Sequence, residues 1–327
     1  MSKQVRRGSH KRQHFVPQCY TRPWLDPDSV GTPKLAPYVW VFNKDGTNPK
    51  RRAPANLFTE NDIYTIPGAD GRRDLRLEHG FQQLEDQFTR IRNLKLLKRL
   101  ELDEEQLAYL FAFVATSQAR TKVIRDHHRS QWANIRKRME EVQKAYEAAN
   151  PKRKKAFEAI STTPRSNIGG SITLEDVKRL EERPIQNMIA GIVSTVMRHF
   201  AQMHTAILCT DDPIGFVTSD HPCTWFDPEA YKFPPFCRSP GLAVKTIEIT
   251  LPVSPSQCVY ISHNPDYRGY IDIPLRALNE LNRRHIIHCN ENFICSKSET
   301  RHEWFIQPEL PDDAWEKVRA RTLDGGK

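Results

Sequence analysis

No run of apolar residues in this sequence approaches the roughly 18 to 20 that a membrane-spanning helix needs. The first twelve residues, MSKQVRRGSHKR, are basic but lead into no apolar core, so a secretory leader is not expected. A Walker A loop, G-x-G-x-x-G, H-E-x-x-H, G-x-S-x-G and the protein-kinase motif set are all missing. P-loop nucleotide hydrolysis and Rossmann cofactors are thereby disfavoured. Cysteine occurs seven times, at 19, 209, 223, 237, 258, 289 and 295, with no C-x-x-C pair. An odd, unpatterned set gives no disulfide framework and points to reduced thiols and a cytoplasmic setting. No internal repeat is visible.

What is present is charge and enough apolar matter for a core. Hydrophobic residues make up 38% of the 327 and charged residues 27%, with six Trp, nine Tyr and fifteen Phe. That composition is globular rather than disordered. The formal net charge of +9 favours acidic partners, nucleic acid before an anionic membrane surface. Lys3, Arg6, Arg7, Lys11 and Arg12 stand within the first twelve residues, where there is no acid. They read as a flexible arm over residues 1–12, either solvated or in contact with phosphates.

The segment HFVPQCYTRPWLDP is interrupted by Pro17, Pro23 and Pro27, so it is extended and pinned by Phe15, Tyr20 and Trp24. YVWVFN at 38–43 and DIYTI at 62–66 read as strands that pair in a small N-terminal hairpin. Three long helices follow. The first covers about 75–98, on the stripe Leu77, Phe81, Leu84, Phe88 and Ile91. The second begins at Asp103 with a capping-box Gln106 and is apolar all round from Leu107 to Ala115. It is expected to continue through ARTKVIRDHHRSQW into a charged, exposed stretch at 136–158. STTPRSNIGGS at 161–171 is a loop, and a third helix is strongest at 186–203. AILCT, GFVTS, TIEITLPVS, QCVYISH and NFICSK are then β-like, with helices at about 274–287 and 311–322. The fold class is α+β: a small hairpin, a helical middle over about 75–203, and a mostly antiparallel sheet over about 204–300. After the arm, 13–327 reads as one domain.

Several side chains invite chemistry. FVTSDHPCTWF ends a strand in Ser219 and Asp220, beside His221 and ahead of Pro222. An Asp there can bind a metal or act as a base, or can simply close a turn. Arg120 leaves the buried helix at its polar end, where an Arg needs a carboxylate or phosphate partner. Glu78 and Glu85 share one helix face, which reads as a solvated row before it reads as a metal pair. His14 precedes the Phe15–Val16–Pro17 anchor, and a lone His is more often structural. His285, His288, Cys289 and Cys295 match no standard zinc spacing.

Taken in order, HFVPQCYTRPW, FTENDIYTI, LEHGFQQLED, SQARTKVIRD, VTSDHPC and ITLPVSP resemble the domain-of-unknown-function family numbered 4238 over roughly residues 12–300. The sequence departs from it at His221, where the family often has Asn, and in its longer basic arm. The resemblance implies positions and no reaction: His14, Gln18, Glu85, Arg120, Ser219 and Asp220 are the recurring polar ones. Together with the basic charge they suggest an enzyme acting on nucleic acid, a nuclease-like hydrolase. Here Glu85 and Asp220 bind a divalent metal or activate water, His14 moves protons and Arg120 clamps phosphate, with Gln18, Ser219 and His221 in support. A role in prokaryotic antiviral defence has no residue behind it. The alternatives are a non-catalytic module binding nucleic acid or protein, and a small-molecule hydrolase.

Overall fold

The computed structural model describes residues 11–32, 36–68, 72–161, 172–306 and Glu316. The chain forms two compact units, one of residues 1–121 and 191–327 and one of residues 122–190, where the sequence suggests a single domain. Residues 1–10 of the expected arm, 162–171 of the loop and all but Glu316 of the expected helix at 311–322 lie outside the described residues. Arg12, assigned above to the arm, begins a strand.

The first unit opens with β1 (Arg12–His14) and α1 (Gln18–Thr21), followed by β2 (Val39–Asn43), β3 (Lys50–Arg52), β4 (Thr59–Asn61), β5 (Ile66–Pro67) and β6 (Arg73–Asp74). The hairpin exists, but its second strand is β3 and not the 62–66 segment. That segment turns instead: Asp62 has a left-handed φ of 56°, the buried Gln13 side chain accepts the Tyr64 amide at 2.8 Å, and of the segment only Ile66 joins a ladder, in β5 opposite Asp74 of β6. β1 pairs instead with β4, antiparallel, His14 opposite Thr59.

On helix α2 (Arg76–Leu94) Phe81, Phe88 and Ile91 of the expected stripe are buried and Leu77 and Leu84 half-buried, and Phe88 stacks in parallel on Phe113 of helix α3 (Glu104–Ala119). The Asp103–Gln106 capping box is complete. Helix α3 ends at Ala119, against the expectation of a continuous helix through 136; Arg120 caps it with φ −96° and ψ 3°. The second unit contains α4 (Lys122–Glu147), α5 (Pro151–Ser161), α6 (Leu174–Glu182) and the start of α7 (Pro184–Phe200). Helix α4 has no buried residue, as the charge run at 136–158 implies. It is tied to α6 by Arg136, which donates to Glu181 at 2.6 Å.

In the rest of the first unit, β7 (His204–Cys209), β8 (Thr218–Ser219), β9 (Thr224–Phe226), β10 (Glu248–Ser254), β11 (Gln257–Ser262), β12 (Gly269–Asp272), α8 (Leu275–His288) and β13 (Asn292–Cys295) follow in order. A five-stranded sheet runs β12-β7-β11-β10-β9, antiparallel except where β12 meets β7. A four-stranded sheet runs β3-β2-β13-β8. The N-terminal anchors reach it as the aromatic pattern suggests. The Trp24 indole donates to the Phe216 carbonyl at 2.7 Å, and the Tyr20 hydroxyl meets Thr218 Oγ1 at 2.7 Å. Both rings are fully buried. The architecture is α+β, and no helix among the described residues is long and apolar enough to cross a membrane.

Candidate functional site

Three of the recurring polar residues meet where β1, α2 and the end of α3 come together. Arg120 is only 2% exposed. Its Nη1 donates to Glu85 Oε1 at 2.9 Å, and its guanidinium lies over the Phe81 ring, 5.2 Å from the centroid. The other two nitrogens, Nε and Nη2, are buried without a hydrogen-bond partner. Burial opposes the guanidinium charge, but Glu85 and Tyr64 outweigh it, and the proton is held more tightly than usual.

Glu85 is partly open, its side chain 24% exposed. Its second oxygen accepts from the Cys19 thiol at 3.8 Å. Burial, and then Glu85 itself, push that thiol up to about 11, so Cys19 is a donor and not a thiolate nucleophile.

His14 stands at the end of β1, within electrostatic reach of both Glu85 and Arg120. The Ala55 backbone favours the protonated ring, and Nε2 is buried with no hydrogen-bond partner. Burial lowers the His14 pKa, with Arg12 and Arg120 adding to the effect, so the neutral form dominates at pH 7. The Tyr64 hydroxyl closes the group from below, 3.4 Å from the His14 carbonyl and 3.3 Å from that of Arg120.

Asp220 serves elsewhere. Its carboxylate accepts three backbone amides, from Asn290 at 2.7 Å and Glu291 at 2.8 Å before β13 and from Asn292, the first residue of that strand, at 3.0 Å. Burial pushes its pKa up against the pull of those donors. Ser219 Oγ accepts the His221 amide, and His221 Nε2 meets Gln118 Oε1 at 3.0 Å. Burial and His288 depress His221 to about 4. Glu85 and Asp220, expected as joint metal ligands, therefore contact different elements and are not brought together by any contact. Among the described residues no group of three or more His, Cys, Asp and Glu side chains is placed to hold a metal ion. His285 uses both ring nitrogens on Thr224 and Thr250 hydroxyls. Gln18 is half-buried, and its carbonyl accepts from Thr21 Oγ1.

Sequence reasoning missed Gln13, Cys19, Ala55 and Tyr64. Gln13 and Cys19 adjoin residues it had marked. Tyr64 was concealed in a strand-like segment, and Ala55 acts through its backbone, which leaves no sequence signal. No curated protein and no solved structure matches the chain. The model of the family described as protein of unknown function (DUF4238) matches residues 12–300, and the chain belongs to that family.

Proposed function

We propose that the chain is a nuclease-like hydrolase of phosphodiesters, working at the His14–Arg120 cluster. One observation carries the reading: Arg120 keeps Nε and Nη2 unpartnered on a guanidinium that is 2% exposed. A buried donor left unmet costs about 1–3 kcal/mol, so two on one side chain argue for an anion that completes them. A phosphate oxygen has the charge and geometry to do so. The neutral His14, within electrostatic reach of Arg120, has an unpartnered Nε2 that can act as a base.

In this mechanism Arg120 binds a non-bridging phosphate oxygen and stabilises the charge that grows there. His14 Nε2 takes a proton from water, whose oxygen forms the new P–O bond. The bond to the leaving oxygen breaks, and the imidazolium returns the proton to it. Glu85 is a positioning residue that holds Nη1 and so aims the other two nitrogens. Asp220 shapes the fold. The net charge of +9 supports a polyanionic substrate.

The test is cleavage of labelled oligonucleotides by the full-length protein and its variants. His14→Ala should lower kcat by about 10²–10⁴-fold, the range for loss of a general acid or base. Arg120→Lys should lose activity while Asn264→Ala, remote from the cluster, keeps it. The Arg120–Glu85 ion pair supports a second reading, a non-catalytic binding module with a structural polar network. It gains if wild-type protein binds oligonucleotides but cleaves none.

A further inference from the structure

Strand β3 consists of three consecutive cations. Lys50, Arg51 and Arg52 are all exposed, on the outer edge of the four-stranded sheet. Among the described residues none of the three forms an ion pair. Arg12, on β1, bonds Thr59 and Asn56 and no carboxylate. Cations on an edge strand also keep other strands from adding to the sheet, and charge alone suffices for that. Two further features go beyond that role.

The first is the seating of Arg51. Its guanidinium lies over both Tyr38 and Trp40, 4.9 and 5.0 Å from the ring centroids, with Trp40 its partner in the ladder. The two rings stand at 89° to each other, and Arg51, held against them, is itself exposed to solvent. Unpaired bases stack on such guanidinium planes, whereas bases inside a duplex are occupied by their neighbours.

The second is where β3 leads. From Arg52 the chain passes Ala53 and Pro54 to Ala55, whose backbone favours the protonated His14 imidazole. Arg12 lies two residues before His14 and bonds Asn56, in the same turn. At about 3.3 Å per residue, Lys50 is at most about 17 Å along the chain from Ala55.

We infer that β3 and Arg12 form a track for the backbone of a single-stranded nucleic acid, with Arg51 taking one unpaired base and the strand running on to His14. The inference rests on the cluster being the site of reaction, and it adds the strandedness of the partner and its path. Duplex is the poorer fit because it presents phosphates but no free base for Arg51.

The experiment is fluorescence anisotropy with a labelled single-stranded oligonucleotide and the matching duplex, across a salt series, on the full-length protein. Lys50→Gln, Arg51→Gln and Arg52→Gln combined should weaken single-strand binding and reduce the slope of log K against log salt by about 2, at about 0.7 per phosphate contact. Arg51→Ala alone should weaken single-strand binding several-fold and leave duplex binding unchanged. An unchanged slope in the triple variant overturns the track. So does duplex binding as tight as single-strand binding, or equal binding to anionic phospholipid vesicles. Binding that follows these expectations without any cleavage keeps the track and overturns the hydrolase reading. Cleavage with an unaltered KM in the triple variant does the reverse.

Discussion

Acidification should unfold this protein through two histidines that are buried in neutral form. His285 is fully buried, with its ring held between Thr224 Oγ1 at 3.0 Å and Thr250 Oγ1 at 3.2 Å. Burial, with His288, Arg284 and His221 adding positive charge nearby, depresses its pKa from 6.5 to about 3. His221 falls to about 4 by burial and His288. Both folded values lie below the unfolded one, so stability is complete above pH 6.5 and is lost as pH falls towards the folded values. Between about pH 6 and 4.5 the unfolded chain carries nearly two more protons than the folded one. At about 1.4 kcal/mol per proton per pH unit, the slope approaches 2.7 kcal/mol per unit. Two units of pH thus consume much of a typical total of about 5–15 kcal/mol. The raised pKa of Asp220 works in the opposite sense and offsets part of the loss. Urea unfolding from pH 7.5 to 5 measures the slope directly. His285→Gln keeps an amide for the two threonines but cannot titrate, so it should be less stable at pH 7.5 and reduce the slope by about one proton. A midpoint constant from pH 7.5 to 5, or a slope unchanged in the variant, would refute the reasoning.

Asp220→Ala should lower Tm markedly, because three backbone amides lose a charged acceptor and each such bond is worth about 1.5–3 kcal/mol; a Tm equal to wild type would contradict the anchoring role. Trp24→Phe should cost about 1–3 kcal/mol by leaving the buried Phe216 carbonyl without its donor, read from the urea midpoint. Thiol titration of the denatured, unreduced protein should find seven free cysteines, since all seven are unpaired in the fold.

Where local pattern decided structure, the sequence was readable. TIEITLPVS and QCVYISH became the central pair β10 and β11, since their β-branched residues suit a sheet buried on both faces. Asp103 and Gln106 marked a helix start because capping is a contact between residues three apart. The failures are long-range. Nothing near Arg120 predicts the break after α3; its side chain is drawn to Glu85, 35 positions away, and its carbonyl to Tyr64. The 62–66 segment has strand-like residues, yet Gln13 takes the Tyr64 amide and only Ile66 joins a ladder. For the site, Arg120 was marked at the polar end of its helix and proves to pair with Glu85, with His14 in electrostatic reach of both. Asp220 was marked at a strand end and does not join them, because its partners lie 70 to 72 residues downstream, at and just before the start of β13.

The central claim, that His14 is the base of a phosphodiester-cleaving site, is tested most directly by the pH dependence of kcat/KM for oligonucleotide cleavage. A base must be unprotonated to act, and burial lowers the His14 pKa below 6.5. The rate should therefore rise with pH through a single ionisation below 6.5 and stay level above it, and His14→Ala should abolish that limb. A limb that persists in the variant, or no cleavage by wild-type protein at any pH, would contradict the account.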